Sequence, residues 1–140
     1  MNFVEIDIKN SSHIEHLYKL LKNKKFNISH VKLPTYDEHK EFVQNNPYRK
    51  WFLIYIKNLV SGSVYISNEN YIGINLPSNN SDIYFEILKY IFKNFEPLNE
   101  IKSIRNRFFM VNTTKDNINL INAINRHFMK EIQRTYIFKN

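Results

Sequence analysis

Apolar residues run almost unbroken from Trp51 to Ile56 between Lys50 and Lys57. Such a run reads as a strand buried on both faces, with Trp51, Leu53 and Tyr55 on one side and Phe52, Ile54 and Ile56 on the other, each side covered by helices. Two further strands follow, Gly62 to Ser67 and Tyr71 to Leu76, separated by a turn at Asn68-Glu69-Asn70, so the region predicts an antiparallel meander. The junction Pro77 to Phe85 then leads into a helix on which Tyr84, Ile87, Leu88, Ile91, Phe92 and Phe95 recur at helical spacing, closed by Pro97.

The flanking segments read in the same way. Phe3, Ile6 and Ile8 predict a first strand ended at Asn10, and Ser12 with Glu15 predicts a capping box opening a helix through Ile14, Leu17, Tyr18 and Leu21. Lys22-Asn23-Lys24-Lys25 suits the solvated carboxyl end of that helix, where cations meet the negative end of the dipole. Thr35 with Glu38 predicts a second capping box after Pro34, with Tyr36, His39 and Val43 on one face and a stop at Asn45-Asn46-Pro47. Beyond the central helix the pattern predicts a strand over Ile104 to Asn112, a helix over Asn117 to His127 and a last strand over Ile132 to Phe138. The element order is β-α-α-β-β-β-α-β-α-β, and a right-handed crossover through the central helix makes the strands on either side of it parallel.

A chain of 140 residues with 43% hydrophobic content fits one domain, 1–140, with a single sheet and its covering helices. With no cysteine, disulfides, thiolate metal sites and cysteine nucleophiles are excluded. No segment approaches the ~20 apolar residues that cross a bilayer, and Met1 to Ile8 lacks a signal-peptide core, so no membrane association and a cytoplasmic location are expected. The net charge of +7 favours an anionic ligand, although a lysine-rich surface also follows from AT-rich coding, which equally explains the abundant asparagines. Basic residues are dispersed and aromatics fall on core periodicities, which speaks against nucleic-acid binding.

The element order, Tyr71-Ile72-Gly73-Ile74 before the central helix, and Val111-Asn112 before the next helix together resemble the GNAT superfamily of acyl-CoA-dependent N-acyltransferases. The stretch from Val111-Asn112-Thr113-Thr114 through Phe128 to Tyr136 is similar to that family's closing pattern, an Asn-led helix followed by a phenylalanine entering a hairpin strand. His39 to Trp51, with Asn46-Pro47-Tyr48-Arg49, further resembles members encoded among surface-polysaccharide genes. The resemblance implies a GNAT-like α/β fold, a mixed sheet with an antiparallel meander and a parallel pair around a central helix in three α/β/α layers. It also implies acetyl-CoA as co-substrate, its pantetheine against the backbone of Ile72, Gly73, Ile74 and Leu76 and its pyrophosphate at the junction residues Asn79, Asn80, Ser81 and Asp82, with Asn112 and Asn117 lining the far side. The implied reaction is attack of a small-molecule amine, such as an amino sugar of a surface-glycan pathway, on the thioester.

Departures from that pattern gather at the same site. By the family's register, Asp82 and Tyr84 stand where its phosphate loop has glycine or alanine, Ala123 stands where active members keep a sulfur-protonating tyrosine, and His127 replaces the glycine before Phe128. Asp82 brings a carboxylate to the phosphate's place, and Tyr84 removes the close backbone approach that glycine permits. Ser81 and Asp82 also fit a plain helix cap, and Asn79-Asn80 a plain turn. His39 fits a core histidine as well as a base; His30 and His127 are isolated, and no spacing supports a metal site. Tyr48 and Trp51 fit either ligand stacking or a packed corner, Arg105 and Arg107 either phosphate contact or a solvated strand edge. Glu69 and Asp116 are the acids nearest the implied site, and no pair of carboxylates marks a catalytic base. Two readings remain: an N-acetyltransferase, or a non-catalytic GNAT-like module without acetyl-CoA binding that acts through a ligand, a protein partner or a homodimer.

Overall fold

The computed structural model describes residues 1–24 and 32–139; Lys25 and His30 of the readings above lie outside the described residues. Its elements are β1 (Asn2–Glu5), α1 (Ser11–Lys22), α2 (Tyr36–Gln44), β2 (Tyr48–Ile56), β3 (Leu59–Ser67), β4 (Tyr71–Asn75), α3 (Ser81–Asn94), β5 (Met110–Val111) and α4 (Ile118–Arg126). The strands form one mixed sheet in the order β1-β2-β3-β4-β5, antiparallel from β1 to β4 and parallel between β4 and β5.

The apolar run of β2 divides as its alternation requires. Phe52 and Ile54 join Val64, Ile66 and Ile72 under the buried faces of α3 and α4, with Ile56 packed against them. Leu53 joins Ile14, Leu17 and Leu20 of α1 and Val43 of α2, with Trp51 and Tyr55 packed against that second cluster. Helices thus cover both sheet faces, and reversal of one β2 residue would move its side chain from one core into the other.

Turn chemistry holds the meander in register. Lys57 and Asn58 both adopt positive φ, 51° and 63°, the geometry of a two-residue hairpin whose twist matches its strands. Gly73 lies opposite Tyr65, whose ring covers it so closely that any Cβ at position 73 would overlap the ring. That ring stacks in turn on Tyr48 at 3.9 Å, and Tyr48 meets Trp51 edge-on at 4.9 Å. Burial and the neighbouring Tyr65 push the Tyr48 phenol far up, so this corner is packing for Tyr48 and Trp51.

The second turn ends in Asn70, fully buried with φ of 70°. Its Nδ2 donates to the carbonyls of Leu98 (2.9 Å) and Asn106 (2.7 Å), and its Oδ1 accepts from the Leu98 amide (2.8 Å). Its backbone carbonyl accepts from the Met110 amide at 2.9 Å, the first bond of the parallel pair. Arg105 reinforces the same loop by donating to the carbonyls of Asn99 and Asn68, so its guanidinium is a brace within the fold.

Several boundaries differ from expectation, each for a local reason. Asp7 accepts from the Lys9 amide in a tight turn, which ends β1 before Ile8. The α1 cap is Asn10, whose side chain accepts from the Ser12 and His13 amides, so Ser12 and Glu15 form no capping box. The Thr35–Glu38 box of α2 is present in both directions. Only Met110 and Val111 of the expected strand 104–112 pair, because Ile101 and Arg105 bridge each other and Asn106 turns the chain by accepting from the Phe108 amide. Arg105 and Arg107 therefore do not share a strand face. Ile132 to Phe138 pairs with no strand among the described residues, leaving the last expected strand unformed.

Two outcomes follow. Asn70→Gly keeps the turn but orphans the buried Leu98 and Asn106 groups, costing roughly 2–4 kcal/mol in chemical denaturation. His39 is buried, its Nε2–H donating to the Ile14 carbonyl at 3.2 Å, and burial, only partly offset by that bond, holds its pKa below 6.5. The unfolded chain therefore binds a proton that the folded one refuses, so stability present above about pH 6.5 declines as pH falls towards the depressed folded value. Denaturation midpoints measured on either side of pH 6.5 should show this slope, and His39→Gln should flatten it.

Candidate functional site

The parallel pair is short by construction. Tyr71 pairs with Met110 and Ile72 with Val111, after which β5 ends while β4 continues to Asn75. Strand alternation then points the backbone N–H and C=O of Ile74 towards the side β5 has left, while Tyr65 and Gly73 face each other on the β3 side. A wedge therefore opens at the carboxyl end of β4, bounded by the junction 76–80 and the start of α4. Ligands of open α/β sheets bind in such a place.

The residues around that wedge are bound to each other. Asn79, at φ 50°, donates its amide to the Leu76 carbonyl at 2.9 Å, and its own carbonyl accepts from Asn119 Nδ2 at 2.7 Å. Asn80 caps α3: its Oδ1 accepts from the Ile83 amide at 3.1 Å, and its carbonyl accepts from the Tyr84 amide at 3.0 Å. Asp82 reaches across to Arg126 on α4 at 2.8 Å, with its side chain 86% exposed. Arg126 in turn lies over the Phe85 ring at 4.1 Å. Ser81 begins the helix beside the cap, half-buried.

Asn117 is the buried cap of α4, accepting from the Leu120 amide at 3.2 Å, with its Nδ2 at 3.5 Å from the Tyr84 hydroxyl, the long limit of a hydrogen bond. Tyr84 is itself core, and burial pushes its phenol up, with the Asn117 bond acting the other way. Where sequence register put a missing glycine, the structure has a side chain filling the space between two helices. Ala123 is completely buried in the same cluster, leaving no room there for a phenol. His127 donates to the Phe85 carbonyl at 3.0 Å and stacks on its ring at 4.1 Å.

Of the expected coenzyme residues, Ile72, Gly73, Ile74 and Leu76 stand along and just beyond β4, Asn79 to Asp82 at the α3 entry, and Asn112 exposed just past β5. Ile72 and Leu76 are buried core residues, and Asn117 is spent on its own helix. Glu69 and Asp116 are exposed on separate turns, and His39 is a core residue of the other sheet face. No group of metal-ligating side chains occurs among the described residues. No described helix is long and apolar enough to cross a membrane.

Two features escaped the sequence reading. The side-chain oxygens Asn79 Oδ1 and Thr114 Oγ1, on the loops leading into α3 and α4, are buried without a partner. A cleft of about 340 Å³ lies on the α1 side of the sheet, lined by His16 and Lys19 of α1, Ser61 of β3 and Pro77 after β4. Leu20, which also lines it, accepts at its carbonyl from Asn75 Nδ2 at 2.9 Å. His16 and Lys19 sit one turn apart on α1, a spacing that could have marked a basic face.

No protein-family model matches the chain, and neither a curated protein nor a solved structure matches it. The caps can be ranked by substitution. Asn80→Ala should lower stability by about 1 kcal/mol, whereas Asp82→Ala should change it by roughly 0.5 kcal/mol or less because its partner bond is exposed. Thermal or urea denaturation of the two variants reads the difference.

Proposed function

We propose that this domain is a non-catalytic GNAT-like module that does not bind acetyl-CoA and works through contact with another molecule. The observation that carries this reading is what the chain itself places at the α3 entry, the Asn80 side chain and the Asp82 carboxylate. An incoming pyrophosphate needs free amides at that helix end. Here the Ile83 amide is held by Asn80, and the Asp82 carboxylate stands at the opening, paired with Arg126. That carboxylate is exposed and paired with Arg126, so its repulsion of a phosphate is screened by solvent and adds only modestly to the obstruction.

The chemistry of thioester attack is equally unprovided for. Ala123 offers no proton to a leaving sulfur, and Glu69 and Asp116 lie exposed on separate turns. His39, which fitted a core histidine as well as a base, is buried against Tyr18 beneath the opposite sheet face.

A second reading, an N-acetyltransferase acting on an amine such as an amino sugar, is favoured by one feature. The Ile74 edge, left open where β5 ends at Val111, is the kind of backbone on which an extended pantetheine could lie as an added strand. Under this reading Arg126 would release Asp82 and turn to the phosphates.

Isothermal titration separates the two. The module reading expects no heat with acetyl-CoA up to high-micromolar concentration for the unmodified chain, and none for Asp82→Asn. Tight binding by the unmodified chain would replace it with the transferase reading. Tyr84→Gly is not a usable test of the loop, because removing a buried aromatic costs about 3–5 kcal/mol and empties the α3–α4 contact.

A further inference from the structure

Large apolar side chains that the single chain leaves in water are concentrated in one region. Of the seven described ones at least 70% exposed, six come after position 100: Ile104, Phe128, Ile132, Tyr136, Ile137 and Phe138. Five of those lie on or just before the segment 129–139. That segment belongs to no helix or strand, carries β-branched and aromatic residues, and is exposed from Lys130 onward. Its side-chain hydrogen bonds run only within itself, Gln133 to Thr135 and Arg134 to Glu131. It has the residues of a strand but no sheet.

The same chain carries a sheet edge without a strand. β5 ends the sheet, paired among the described residues with β4 alone, and exposed Phe108 stands two residues before it. The opposite edge is less receptive: β1 carries Glu5, tied to Lys50 at 3.0 Å, and its Phe3 stacks on Tyr90 at 3.7 Å.

Phe128 connects the two observations. α4 closes with the Phe128 amide donating to the Asn125 carbonyl and the Met129 amide to the Ile124 carbonyl, a paired closure that places position 128 in the left-handed region, φ 58°. Glycine or asparagine suits that position, whereas a phenylalanine is strained there. This one is also 91% exposed, so nothing within the single chain offsets the strain. A local rule broken without internal compensation points to a contact outside the chain.

We infer that two copies of this chain pair by exchanging these segments, each laying its 129–139 strand along the β5 edge of the other. Reciprocal exchange satisfies both unpaired edges at once and closes with two-fold symmetry. Six aromatic side chains, Phe128, Tyr136 and Phe138 from each copy, at about 150–250 Å² apiece, reach the roughly 1,000 Å² that a specific interface requires. A second copy is the occupant because the unpaired segment and the unpaired sheet edge are carried by the same chain, and because Ile132, Tyr136, Ile137 and Phe138, each at least 71% exposed, offer apolar contact. Each copy carries +7, so apolar pairing works against charge and tightens with salt, whereas an acidic partner would loosen. This inference stands apart from the question of coenzyme binding.

Sedimentation equilibrium of the full chain across the micromolar range, at low and high salt, tests it. The expected result is a reversible species of twice the 17.0 kDa chain mass, more populated at high salt. Tyr136→Asp with Phe138→Asp should raise the dimer dissociation constant roughly a hundredfold while leaving the thermal midpoint of the dilute monomer unchanged. Phe108→Asp should weaken the dimer from the receiving side. Phe128→Gly should move two readouts in opposite directions, raising the dilute monomer's midpoint by relieving the left-handed residue and weakening the dimer by removing an anchor. A chain that stays monomeric throughout, a dimer indifferent to the Tyr136 and Phe138 or to the Phe108 changes, or a 129–139 segment protected from amide exchange in the dilute monomer would each overturn the inference.

Discussion

Asn70 is the residue on which the architecture turns. Buried at the β3–β4 turn, it spends all of its side-chain hydrogen bonds on backbone groups of the loop 95–109 and offers its own carbonyl to Met110. That loop would otherwise be a long unpaired excursion between α3 and β5. Held by Asn70 and braced by Arg105, it delivers β5 alongside β4 in the parallel sense, and so sets where the wedge beside Ile74 begins. A buried amide can do this because four neutral polar functions are satisfied in one place, which hydrophobic packing alone could not direct.

Around that fixed point the two cores are built independently. α1 and α2 close one face of the sheet and α3 and α4 the other, joined through β2, whose alternate residues belong to different clusters. The candidate site falls entirely on the α3–α4 side. There Asn80 and Asn117 cap their helices, Asn119 binds the Asn79 carbonyl, and Asp82 pairs with Arg126 across the two helices. Self-satisfaction of this kind stabilises two helix ends.

The strands and helices with strong periodicity were legible in the sequence: the two-faced β2, the capping box of α2, and the spans of α3 and α4 all follow from apolar spacing. The asparagines were not. Composition makes them look like a by-product of coding bias, yet Asn10, Asn70, Asn75, Asn80 and Asn117 each make a defined contact, because an amide's value depends on partners far along the chain that no local pattern displays. The 104–112 and 132–138 segments misled for the opposite reason. Both have strand-like residues, but a strand exists only with a neighbour, and alternation says nothing about whether one is within reach.

The distances along the chain spanned by the Asn70 bonds carry a kinetic consequence. The β2–β3 hairpin closes through a two-residue turn, whereas Asn70 reaches partners 28 and 36 positions away. Local closure precedes costly loop closure, so the meander forms early and the clasp late. The carboxyl-terminal third then behaves as a separate opening unit, released when one side chain lets go while the meander and its α1–α2 cover persist. Amides of Leu98 and Met110 would exchange with solvent as a pair, faster than those of β2 and β3, and their shared rate would time the life of a single asparagine's grip.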